Sequence, residues 1–132
     1  MSINKFILLP CLCLIFSYKN VAALDCDQNS YGQQRMNMCA IKELKEEEKK
    51  LDVIYKDYIK FLDEKDYLIN EKKYFKESHI AWIKYKDSYC KFISSKCEGG
   101  SMCAMVWANC HTEKTIQRRK EIEEVYEYEK RL

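Results

Sequence analysis

Residues 33–98 read QQRMNMCAIKELKEEEKKLDVIYKDYIKFLDEKDYLINEKKYFKESHIAWIKYKDSYCKFISSKCE, and this run holds neither proline nor glycine. A chain so poor in turn-forming residues and so rich in Lys, Glu, Leu, Ile and Tyr favours helix and argues against a sheet. The periodicity agrees. Ala40, Leu44, Leu51, Ile54, Tyr55, Tyr58 and Leu62 recur at steps of three, four and seven. Leu68, Phe75, His79, Trp82, Tyr89 and Ile93 do the same, and charged residues fill the opposite faces. One unbroken helix over this run would be roughly 100 Å long at 1.5 Å per residue, with nothing to pack against. The chain must therefore fold back. Asp63-Glu64-Lys65-Asp66 is the predicted hinge, with Asp63 or Asp66 placed to cap the next helix.

A second break is written at Gly99-Gly100-Ser101. Glycine takes the left-handed helix stop, and Ser101 can cap the helix after it. The third helix is predicted to turn Val106, Cys110, Ile122 and Val125 inward. The expected fold is all-α: a long antiparallel helical hairpin plus a third, C-terminal helix, stapled by disulfides.

The first residues read as an address. Lys5 gives a basic start, Phe6 to Phe16 an apolar core, and Val21-Ala22-Ala23 a cleavage site. That plan predicts a signal peptide over residues 1–23 and a domain over 24–132, so a periplasmic or secreted location is expected. Membrane attachment would come only through an uncleaved anchor. Cys11 and Cys26 lack the small preceding residues of a lipoprotein site. Without residues 1–23, Lys+Arg falls from 23 to 21 against 21 Asp+Glu, which leaves no net charge for nucleic acid.

Cys26, Cys39, Cys90, Cys97, Cys103 and Cys110 remain, an even set that implies disulfides in an exported chain. Zinc is disfavoured, because no Cys-x2-Cys pair occurs and Cys110-His111 adjacency suits no single ion. Folding about residues 64–65 puts Cys39 opposite Cys90. Cys97 and Cys103 then close the helix break, and Cys26 is left for Cys110.

Catalysis finds no motif. His79 and His111 stand far apart, and neither a phosphate loop nor a paired-carboxylate signature occurs. The chain is read as a non-enzyme with no cofactor and no metal. A saposin-like lipid binder would cluster its cysteine pairs at the termini, which this chain does not.

Met36-Asn37-Met38-Cys39, Leu51-x3-Tyr55, Ala81-Trp82-x2-Tyr85-x-Asp87-x2-Cys90, Gly100-Ser101 and Cys110-x4-Thr115-x2-Arg118-x3-Ile122 together resemble the LprI-type lysozyme inhibitor family of exported bacterial proteins. The Trp-to-Cys block is the specific part. The resemblance departs at His79-Ile80, where the family often has Gln-Arg, and Cys97 and Cys103 add to a usual four-cysteine set. It implies an all-helical, disulfide-bonded, exported protein that binds a protein partner, a lysozyme. The alternative is an envelope interaction module or immunity factor against another cell-wall-targeting enzyme.

Within that frame Trp82 is expected in the core, and Tyr85 with Arg118 as a hydrogen-bonded pair between helices. Asp87 belongs to the same motif. Glu98, Gly99, Gly100 and Ser101, closed by Cys97 and Cys103, form the candidate binding loop, although the sequence favours the structural explanation, in which the glycines stop one helix and Ser101 starts the next. Glu43, Glu46, Glu47, Glu121 and Glu124 offer an acidic patch for a basic enzyme, weakened by interleaved lysines.

Overall fold

In the computed structural model the structure describes Cys26 and residues 30–132; the leader read over residues 1–23 lies outside them. Among the described residues three α-helices make the fold: α1 (Gly32–Asp63), α2 (Ile69–Ser95) and α3 (Cys103–Glu129). No strand occurs among the described residues. The hinge falls where the sequence places it, after Asp63, and a single 3₁₀ turn, Asp66–Leu68, lengthens it. Asp63 caps nothing: it is the last residue of α1, and α2 starts from Leu68 with no side-chain cap.

The helices run up, down and up, so α1 and α3 are parallel and α2 is antiparallel to both. α1 packs chiefly against α3 rather than against its hairpin partner. Leu51, Tyr58, Leu62 and Ile122 form one buried cluster, with Ile54, Phe75, Trp82 and Tyr126 against it. Each fully buried side chain of this kind contributes about 1.5–3 kcal/mol. Ala40, Leu44 and Ala108 form a second cluster nearer the start of α1, where alanines let the two helices approach closely. Both clusters are small, which is why cross-links matter here.

The cross-links differ from the hairpin expectation. Cys26 joins Cys39, Cys90 joins Cys110, and Cys97 joins Cys103. Only the last matches. Glu48 meets Lys86, Tyr55 meets His79 and Tyr58 meets Phe75. In that register Cys39 lies level with the Ser94–Ser95 end of α2, about one helical turn beyond Cys90. The 3₁₀ turn shifts the register, and the fully buried Cys90 faces α3, where Cys110 is.

Other inward assignments also differ. Trp82 is half-buried, stacked on His79 at 5.3 Å with the Lys86 ammonium over its ring. Val125 and Tyr89, expected inside, stand 46% and 36% exposed. Tyr85 does not pair with Arg118. It is exposed and stacked on Tyr89 at 5.7 Å, while Arg118 donates to Ser78 Oγ at 3.0 Å and Glu121 at 3.3 Å.

Candidate functional site

The loop between α2 and α3 is built by the residues expected to end one helix and start the next. Gly99 has φ +79, a conformation that costs glycine nothing and other residues much. Gly100 donates its N–H to Cys97 O at 2.8 Å, and a Cβ at Gly100 would sit 3.0 Å from that same oxygen. Both glycines are therefore required by the turn. Ser101 does not cap α3, which starts from Met102 with no side-chain cap; its carbonyl instead accepts from Asn37 Nδ2 at 2.8 Å. That bond and the Cys97–Cys103 disulfide tether the loop to α1 and to itself. Glu98, Gly99, Gly100 and Ser101 are all exposed.

Beside the loop an open groove of about 380 Å³ runs between α2 and α3, walled by Lys91, Ser94, Ser95, Glu98, Ala104 and Trp107. Trp107 is 40% exposed, and its ring packs on His111 at 4.2 Å. Nothing in the helical spacing singles it out as a surface residue. The one hint is its place four residues after a cysteine that closes a loop.

Further along α2, Tyr85, Tyr89 and Phe92 succeed one another at steps of four and three and stay exposed. Lys114 Nζ stands 4.7 Å from the Tyr89 ring centre, and Lys96 Nζ 5.0 Å from that of Phe92. The acidic runs lie elsewhere. Glu47 is buried and paired with Lys50 at 2.5 Å and Arg119 at 3.4 Å. Arg119 lies about 24 Å along α3 from Cys103, at 1.5 Å per residue. Glu47 thus stands away from the loop, while Glu43 shares a cleft with Met105, two residues past Cys103.

Between the two apolar clusters a polar belt crosses the bundle. Lys86, His111, Thr112, Thr115 and Glu47 are buried there. Lys86 Nζ reaches Glu48 at 3.5 Å, and His111 Nδ1 is 4.0 Å from Asp87, whose own side chain is largely exposed. Burial lowers the His111 pKa, with Lys86 adding to it and Asp87 and Glu48 opposing. Burial likewise lowers His79, helped by Arg118 and Lys86. For Glu47, burial pushes upward, but Lys50 and Arg119 together leave it below its ordinary value. These groups hold the helices in register rather than line a cleft. Among the described residues no group of three or more His, Cys, Asp or Glu is placed to hold a metal ion. No helix among them is long and apolar enough to cross a membrane.

The family model described as "Lysozyme inhibitor LprI" matches residues 25–122, about three quarters of the chain. No curated protein and no solved structure matches.

Proposed function

The chain belongs to the LprI lysozyme inhibitor family, and on that premise we propose that it is an exported protein that inhibits a muramidase-type lysozyme by stoichiometric binding. It acts in the periplasm or after secretion, without chemistry of its own. The observation that carries this reading is the Cys97–Cys103 loop: exposed, turned by Gly99 and Gly100, and tethered to α1 through Asn37. A short loop already held in shape loses little entropy when it enters an enzyme cleft. The three disulfides suit an oxidising compartment, where lysozyme also acts.

The test is clearing of bacterial cell walls by several lysozyme types with the purified protein in molar excess. Inhibition that saturates at a fixed ratio, with a complex of that ratio on gel filtration, supports the reading. Unimpeded clearing and no complex with any lysozyme would remove it.

A further inference from the structure

Charge is unevenly spread along the bundle. Residues 84–114, which carry the loop and the helix segments flanking it, hold five Lys against three Asp and Glu. Residues 121–132, at the far end of α3, hold five acids against two bases, so of the two segments the loop-bearing one is cationic. Lys86, Arg118 and Arg119 are already spent on ion pairs with Glu48, Glu121 and Glu123. Lys91, Lys96 and Lys114 make no ion pair among the described residues. Two of them instead lie over exposed rings: Lys96 over Phe92, and Lys114 over Tyr89 and, at 6.0 Å, Tyr85. A ring beneath a lysine steadies its ammonium by cation–π attraction and leaves its N–H donors free for an outside acceptor. Exposed Tyr and Phe supply rigid contact area at low entropic cost.

We propose that this lysine–aromatic face, Tyr85, Tyr89, Phe92, Lys96 and Lys114, docks on the carboxylate-lined substrate cleft of lysozyme, with the disulfide loop seated beside it. The inference rests on the lysozyme reading and names the chemistry of the contact. Glycoside hydrolases of this kind carry two carboxylates about the scissile bond. A cleft of that charge is the complement of an unpaired cationic face, whatever the net charge of the enzyme outside it. The acidic end of α3, whose Glu129 and Tyr126 meet Tyr58, then lies at the far end of the bundle from the contact.

The experiment compares the unaltered protein with a Lys96→Glu/Lys114→Glu variant and a Lys96→Gln/Lys114→Gln variant. Each is titrated against active lysozyme and against lysozyme whose two catalytic carboxylates are changed to amides. Circular dichroism and melting temperature establish that each variant folds. Affinity should fall roughly tenfold or more on charge reversal and less on neutralisation, and it should fall similarly for the amide enzyme. A complex that forms with unchanged affinity in all these pairs overturns this inference and leaves the lysozyme reading intact. Failure of the unaltered protein to bind any lysozyme overturns both.

Discussion

Cys90 and Cys110 are joined across the α2–α3 contact with their Cα atoms 5.6 Å apart. This bridge sits on the loop side of the bundle, and the buried Lys86 and His111, with Asp87 beside them, lie within about one turn of it. It sets the register in which Asp87 faces His111 and Ser78 receives Arg118.

Replacing both residues by serine should cost about 2–4 kcal/mol, the usual contribution of such a link. Helix content should survive while the melting temperature drops. Non-reducing peptide mapping should recover Cys26 with Cys39, Cys90 with Cys110 and Cys97 with Cys103. A Cys39–Cys90 peptide would refute this helix register.

Trp82→Ala should destabilise by about 2–3 kcal/mol, less than the 3–5 of a fully buried aromatic, because one side of the indole meets solvent. The loss comes from contacts with His79, Lys86 and the Leu51–Ile122 cluster. Chemical denaturation measures it. A loss of inhibition with no loss of stability would move Trp82 to the binding surface.

Gly99→Ala should cost about 1 kcal/mol, since φ +79 is strained for any residue with a Cβ. Gly100→Ala should be worse tolerated locally, because its Cβ would press on Cys97 O. Both changes should weaken inhibition more than they lower the melting temperature. Glu98→Ala with Ser101→Ala should likewise weaken inhibition and leave helicity unchanged, as both residues are exposed. Equal inhibition by all of these variants would dismiss the loop.

Stability should decline as pH drops below 6.5. His79 and His111 are both held below that ordinary value by burial and nearby cations, so the unfolded chain takes up protons first. Their contribution is complete above 6.5 and is lost as pH falls toward their folded values. Melting temperatures from about pH 7.5 to about pH 5 read this before the carboxylates titrate. His79→Gln and His111→Gln should flatten the slope. A flat profile in the unaltered protein would mean that neither imidazole is buried neutral.

Local features were legible in the chain before any folding. A glycine-free, proline-free run with stripes at steps of three, four and seven favours helix, so three helices and both breaks could be read at Asp63–Asp66 and Gly99–Ser101. So could the Cys97–Cys103 closure, because its partners are neighbours in sequence. Which helix each stripe meets was settled only by packing. A stripe says which residues share a face and not what lies opposite, so α1 could find α3 instead of α2. The 3₁₀ turn at Asp66–Leu68 then moved the register by about a turn, which is enough to part Cys39 from Cys90. Packing also left Tyr85, Tyr89 and Val125 outside, and Lys114, which reaches over two of those rings, comes from a helix no spacing rule could place beside them. Helical periodicity is a property of the backbone; neighbourhood is set by how three narrow faces share too little apolar surface to bury every ring.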